Sequence, residues 1–226
     1  MIFEGILSVV LIVLFLYVYE AYRKHKRLTY IELCTFRSAI SRKVKMKYPH
    51  LTDAQLLLVF EGLRDYFYIC NQAKRRMVAM PSQVVDVAWH EFILFTRLYE
   101  EFCKKSQGRF LHHTPSEAMS STTIAQQGIK RAWRLACAKE NINPKTPRAL
   151  PLLFAIDAIL NIEDGFKYEL NCKNKSSAIY GDSYCAGHIA CSSGCAGGSG
   201  GISDSGSFSD GESGDSGGCG GGCGGS

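Results

Sequence analysis

The stretch that decides the fold is SQVVDVAWHEFILFTRLYEEFCKKSQG, residues 82–108. Ser82 is a typical N-cap residue and Gly108 is typical of the position just beyond a helix, so the pattern predicts one helix between them. Apolar residues recur along it at spacings of three and four, which places them in two adjacent stripes. The stripes are Val85, Trp89, Phe92, Thr96, Tyr99 and Cys103, and Val84, Ala88, Phe95, Leu98 and Phe102. A helix with two apolar stripes packs on several neighbours, so this one is predicted to be the central helix of a domain.

Four more helices are predicted around the central one. The first covers residues 30–48, and the second opens at Thr52, which forms a capping box with Gln55. The third covers residues 122–139, and the fourth follows residues 146–147 with Pro151 in its first turn. No segment alternates convincingly between apolar and polar residues as a half-buried strand does. The predicted fold class is therefore all-α, a small helical-bundle domain.

The composition changes sharply on both sides of this domain. We divide the 226 residues into an apolar segment with a basic flank (1–27), the helical domain (28–170) and a Gly/Ser/Cys-rich tail (171–226). The tail cannot bury a core and is predicted to be disordered. All 26 Lys and Arg residues lie in residues 1–175, with 16 acidic residues, which gives that part a net charge of +10. Such a surface suits anionic lipid or nucleic acid, but no motif points to a specific nucleic acid.

The N-terminal segment predicts a single-pass transmembrane helix. Residues 2–22 read IFEGILSVVLIVLFLYVYEAY and are just long enough to cross a hydrocarbon layer of about 30 Å. The alternative is a cleaved signal peptide, but positive charge before the apolar core and a small-x-small cleavage site are both missing. The basic cluster RKHKR follows at residues 23–27. Since such clusters favour the cytosolic side, we expect the N-terminus outside and the bulk of the chain in the cytosol.

Asp86, His90, His112 and His113 form the candidate site of the domain. Asp86 and His90 are four residues apart and share a helical face, while the two adjacent histidines follow the turn at Gly108 and can fold back beside them. Imidazoles and a carboxylate can bind a metal such as zinc or iron, or act as an acid–base pair. A structural role is the alternative, because other charged residues on the same face are typical of a solvated surface.

The cysteines of the domain are not expected to join this site. Thirteen residues of helix would place Cys103 about 20 Å from His90 along the axis, and Cys103 lies on an apolar stripe. Cys34, Cys70, Cys103 and Cys137 occur singly, as free buried thiols do in a reducing compartment.

The tail offers a second set of candidate metal ligands. Cys185, His188, Cys191 and Cys195 lie among Gly, Ser and Asp residues, and thiol-rich segments bind soft metals. Their spacing does not match ordinary zinc fingers. The alternative is a flexible tail without a bound metal.

Residues 80–115 resemble the conserved core of the glycine-rich domain-containing protein family. The positions that carry the resemblance are Asp86, Trp89, His90, Tyr99, Cys103, Gly108, His112 or His113, and Pro115. The Gly-rich, Cys-punctuated C-terminus is also similar to that of bacterial membrane relatives. The resemblance implies one helical domain and a bacterial source, and with the apolar segment it implies the bacterial inner membrane. It implies no particular activity.

The leading hypothesis from the sequence is a membrane-anchored, cytosol-facing helical module that binds a protein partner. No nucleophile elbow, Gly-rich phosphate loop or Cys-x-x-Cys pair occurs in residues 1–170, which argues against an enzyme. The first alternative is a metal-binding, hydrolytic domain that uses the Asp/His site. The second is binding of anionic lipid or nucleic acid by the basic body, which predicts steep salt dependence.

Overall fold

Helices form nearly all of the regular structure that the computed structural model describes. It describes residues 2–113, 122–170, 184–185 and 189, all within the first of two compact units, Met1–Gly194 and Cys195–Ser226. The elements are α1 (Ile2–Glu32), α2 (Ser38–Lys47), α3 (Asp53–Gln72), α4 (Gln83–Ile93), α5 (Thr96–Ser106), α6 (Thr122–Lys139), α7 (Leu152–Ile159), β1 (Tyr168–Glu169) and β2 (Tyr184–Cys185). The strands pair in parallel, Tyr168 with Tyr184, and are too short to show in sequence. The all-α prediction is confirmed.

Helix α1 combines an apolar segment with a part of the domain core. The stretch Gly5–Glu32 is long and apolar enough to span a membrane, and an 18-residue window within it has a mean hydropathy of 2.1 and no buried residue. At the other end of the same helix, Ile31 is fully buried. The Tyr30 ring packs on Phe102 of α5 with centroids 5.9 Å apart. One unbroken helix therefore links the apolar segment to the folded domain.

The predicted helix over residues 30–48 is wrong, because α1 ends at Glu32 and α2 begins at Ser38. The connection between them carries Phe36, whose ring lies 5.2 Å from Phe60 and 5.4 Å from Phe92, centroid to centroid. Arg64 donates to the carbonyl oxygen of Cys34 at 3.3 Å. Inserting Phe36 between α3 and α4 buries a large ring, and this outweighs the few helical hydrogen bonds that are lost.

The predicted central helix is also interrupted, at Leu94 and Phe95. Phe95 has φ −84° and ψ 59°, outside the helical region. In a straight helix, Trp89 and Tyr99 would be about 15 Å apart along the axis. Here the indole Nε1 of Trp89 donates to the Tyr99 hydroxyl at 3.1 Å. Both side chains are buried, so a buried tertiary contact has replaced one turn of helix.

Other predicted boundaries agree with the structure. The capping box of α3 has both its hydrogen bonds, between Thr52 and Gln55, Ser82 caps α4, and α6 covers residues 122–139 as predicted. Helix α7 starts later than predicted, at Leu152 with Pro151 as its N-cap. The reason is that a residue preceding proline is disfavoured in a helix.

A single buried carboxylate holds the N-terminus of α4. Asp157 of α7 is 2% exposed and accepts from the backbone N–H groups of Gln83 at 2.7 Å and Val84 at 3.2 Å. It also accepts from the Ser82 hydroxyl at 2.7 Å and from the N–H of Phe166 at 2.9 Å. Negative charge is stabilised at a helix N-terminus, where N–H groups lack partners within the helix. Asp157 thus ties α4, α7 and the segment after α7 together.

Replacing Asp157 with Asn should destabilise the domain by about 2–4 kcal/mol, since an amide cannot accept all four hydrogen bonds and turns a donor towards other donors. The control is Asp164→Asn, because Asp164 is half-exposed in its ion pair with Lys47 and should cost less than about 1 kcal/mol. Urea unfolding of the full chain in non-ionic detergent, followed by the fluorescence of the two buried tryptophans, measures both. Equal losses would contradict the role given to Asp157.

Candidate metal centre

Helix α4 presents Asp86 and His90 one turn apart. Their side chains are 22% and 49% exposed, and His90 Nδ1 lies 3.1 Å from the Asp86 carboxylate oxygen Oδ2. The same Nδ1 lies 2.9 Å from the backbone oxygen of Asp86. These contacts hold the His90 ring against its own helix and leave its Nε2 atom outside them.

A loop after α5 brings His113 to the same carboxylate. Gly108, with φ +69°, ends α5 in the left-handed conformation that favours glycine. His113 Nε2 then lies 2.9 Å from Asp86 Oδ1, and its ring centroid is 4.0 Å from that of His90. The Trp89 ring packs against the His113 ring, with the two ring centroids 4.5 Å apart. His113 is 13% exposed and is therefore the most buried of the three polar groups.

Tyr99 fixes the position of this loop. Its hydroxyl accepts from Trp89 and donates to the carbonyl oxygen of Leu111 at 2.5 Å. Burial raises the pKa of Tyr99 above its usual value, so the hydroxyl remains protonated and able to donate. Leu111 is two residues before His113, and the bond from Tyr99 therefore sets where the histidine falls.

The structure brings together three of the four predicted domain residues. Asp86, His90 and His113 each offer one ligand atom, and these atoms lie within 4.8 Å of one another. His112 is exposed and its ring contacts Phe110 at 4.8 Å instead. Of the two adjacent histidines, only His113 therefore contacts the Asp86 carboxylate.

The cysteines remain apart from this cluster in the described part of the chain. Cys103 is fully buried. On the sequence alone, Cys103 is excluded from the site because a straight helix would place it about 20 Å from His90. That distance no longer applies, because the helix is broken, but Cys103 is still buried on the apolar stripe. Cys70 contributes to a cleft beside the site, and burial raises its pKa to about 12, so its thiol is protonated at neutral pH. Of the tail candidates, Cys185 contributes backbone to β2, and His188, Cys191 and Cys195 lie outside the described residues.

The three converging groups form a donor set of two imidazoles and one carboxylate. Zinc and iron(II) both accept such a set, and a site with three protein ligands leaves coordination positions open. In a tetrahedral site, ligand atoms about 2.0–2.2 Å from the metal are roughly 3.3–3.6 Å apart. The most widely separated pair of ligand atoms, within 4.8 Å of each other here, would therefore have to close by up to about 1.5 Å. Without a metal, the same contacts form a carboxylate bridge between two imidazoles, an arrangement that supports acid–base chemistry.

These residues line a cleft of about 770 Å³. Part of its lining is apolar, and three arginines also contribute to it, Arg75, Arg76 and Arg109, which we call the arginine wall. Sequence reasoning missed this wall. The only local signal is the Arg-Arg pair just after α3, and nothing in the sequence shows that Arg109 lies on the same cleft.

Tyr99→Phe should weaken metal binding at the candidate centre about tenfold, which is the lower end of the range for losing a hydrogen bond that supports a metal ligand. The Leu111 carbonyl oxygen loses its hydrogen bond from Tyr99, so metal binding must then also order His113. Tyr68→Phe is the control, because no hydrogen bond of the Tyr68 hydroxyl occurs among the described residues. Competition against a chromogenic zinc chelator measures the affinity. If Tyr99→Phe lowers stability but leaves zinc affinity unchanged, Tyr99 has only a structural role.

The comparisons with known proteins give one match. No curated protein and no solved structure matches the chain. The UCP032817-like family matches residues 26–189, a range that begins in the basic flank and includes Asp86, His90 and His113. The resemblance to the glycine-rich domain-containing family and to bacterial membrane relatives stays a prediction. Because the match covers well over half of its residues, the chain belongs to the UCP032817-like family.

Proposed function

We propose that the helical domain binds a divalent transition metal, zinc or iron(II), through Asp86, His90 and His113. The observation that carries the proposal is the convergence of three ligand atoms from α4 and the loop after α5 within 4.8 Å. The contact between His113 and Asp86 links residues 27 positions apart in the chain, so helix periodicity alone does not bring the three groups together. Two neutral imidazoles can each donate an N–H to the shared carboxylate without a metal, so the support for a metal is the convergence of the three groups itself.

An open coordination sphere supports a catalytic rather than a structural metal. Structural zinc sites have four protein ligands, whereas catalytic sites have three and keep a position for water or substrate. The described residues supply three, on the wall of a cleft. A metal bound there would supply Lewis-acid activation of a water molecule or a substrate oxygen, and hydrolysis is the reaction class that this chemistry favours.

We place this domain at a membrane surface, anchored by α1 and facing the cytosol. The support is the exposure of the large apolar and aromatic side chains in residues 6–22, each of which is at least 48% exposed. An apolar helix surface of this length needs a cover, and the lipid hydrocarbon core provides one. The basic residues 23–27 favour the cytosolic side. Binding of a protein partner by the domain or tail stays a prediction.

Zinc binding is tested best in the full chain with the six tail cysteines replaced by serine, which removes competing thiols. We expect about one zinc per chain by elemental analysis after dialysis of the detergent-solubilised protein. His113→Ala and His90→Ala should each lose the ion, because two ligands alone bind zinc weakly.

The matched control is His112→Ala, which removes the neighbouring imidazole and should retain the ion, because His112 faces away from Asp86. Loss of zinc in all three variants would indicate a nonspecific effect on the loop. Absence of zinc and iron from the protein with an intact site would reject the metal centre and favour the carboxylate-bridged imidazole pair.

The predicted topology is tested with epitope tags at the two ends of the chain. In bacterial spheroplasts, from which the outer membrane has been removed, protease should remove an N-terminal tag and leave a C-terminal tag untouched. Alkaline carbonate should not extract the protein. The reverse tag pattern would place the domain outside the cytosol. Extraction of the protein by carbonate, with loss of residues 1–22, would indicate a cleaved signal sequence instead.

A further inference from the structure

We propose that the arginine wall binds the phosphoryl group of a small organic phosphate monoester. This site is separate from the metal centre in its residues, and the inference does not rest on metal binding. The ligand we infer carries a dianionic phosphoryl group towards Arg75, Arg76 and Arg109, with an apolar or aromatic body in the rest of the cleft.

The arginines of the wall have no acidic partner in the part of the chain that the structure describes. The ion pairs found there involve other residues throughout. Arg109 donates to the carbonyl oxygens of Lys74 at 2.7 Å and Phe110 at 3.4 Å, which orient its guanidinium without neutralising it. With neutral imidazoles, the charged lining of the cleft is three arginines and Asp86, a net charge of +2.

Further positive charge lies directly behind the wall. Arg131 donates to the carbonyl oxygen of Met77. Its pKa is lowered by burial first, and then by the charges of Arg76 and Arg134. Charges of the same sign repel when they are brought together, and the repulsion favours an anion among them. This cluster has a cost in free energy that a bound dianion would offset.

The segment that carries Arg75 and Arg76 is held rigidly in place. Lys74 adopts a positive φ of 58°, a left-handed conformation that is unfavourable for a non-glycine residue. The Tyr66 hydroxyl donates to the Val78 carbonyl oxygen at 3.0 Å. A methyl group added to Gly128 of α6 would meet Ala79 at 3.1 Å, so α6 packs closely against the end of the segment. A loop fixed from several sides presents its two arginines with little ordering cost on binding.

The cleft itself points to a small phosphorylated molecule. Its volume of about 770 Å³ lies in the range of small-molecule sites, about 300–1,000 Å³. A cleft of this size is too small for a nucleic-acid duplex. A phosphate monoester carries close to two negative charges at neutral pH, which matches the +2 of the lining. Guanidinium groups form paired hydrogen bonds with phosphate oxygens. Apolar side chains contribute to the same lining, among them Val78, Trp89 and Tyr168, and suit an apolar body.

The test is calorimetric titration of the full chain in non-ionic detergent with phenyl phosphate, in the presence of EDTA so that no metal contributes. We expect saturable binding that weakens as salt is raised. The double variant Arg75→Gln/Arg76→Gln should bind at least about tenfold more weakly, because two charge-assisted contacts are lost. The control is Arg42→Gln/Lys43→Gln on the exposed side of α2, which removes the same charge outside the cleft and should bind as the natural chain does.

Three results would overturn the inference: no binding by the natural chain, equal binding by the Arg75/Arg76 variant, or an equal loss in the α2 variant. Inorganic phosphate should compete more weakly than phenyl phosphate, and equal affinity would reject the organic body of the ligand. The circular dichroism and urea unfolding of the Arg75/Arg76 variant are measured in parallel. A helical signal and an unfolding midpoint like those of the natural chain show that the variant folds, whether or not the metal centre binds zinc, so a failure of the arginine wall is distinguished from a failure of the metal centre.

Discussion

The Asp157 carboxylate is the interaction on which the rest of the domain depends. It is buried and negatively charged, and it is stable there because four donors from two segments converge on it. Burying a carboxylate without such partners would cost several kcal/mol. The carboxylate fixes the position at which α4 begins, and thereby the positions of Asp86 and His90 on that helix. It also holds Phe166, another residue of the cleft lining, so the metal ligands and the cleft share one anchor.

His113 depends on a second, independent support. The break between α4 and α5 allows Tyr99 to reach both Trp89 and Leu111, and the Leu111 bond carries the loop to Asp86. The proposed ligands are thus positioned by buried groups behind them as well as by their contacts with each other. Preorganisation of this kind lowers the cost of binding, because the ion need not order the side chains it meets.

Periodicity and capping predicted much of the fold. The starts of α3 and α4 follow from local chemistry, since Thr52, Gln55 and Ser82 satisfy N–H groups next to them in sequence, and the bounds of α6 follow from its apolar periodicity. The breaks at residues 33–37 and 94–95 were not predicted, because they arise from Phe36, Trp89 and Tyr99 packing with residues far along the chain. The same limit applies to the site. The i, i+4 spacing indicated Asp86 and His90, but only the loop path selects His113 over His112 and places Arg109 beside Arg75.

The unbroken course of α1 has a mechanical consequence. A helix of 31 residues is about 46 Å long, and its last turn is part of the domain core, so no hinge lies between the apolar segment and the fold. A rotation or tilt of the apolar segment therefore also rotates or tilts the domain that is attached to the other end of the helix. If α1 spans a bilayer, as proposed, it would adjust to a change in lipid thickness by tilting, and spanning helices are tilted by about 20° on average. The opening of the cleft would then turn with the helix, and the thickness of the lipid layer would set the direction in which the site faces.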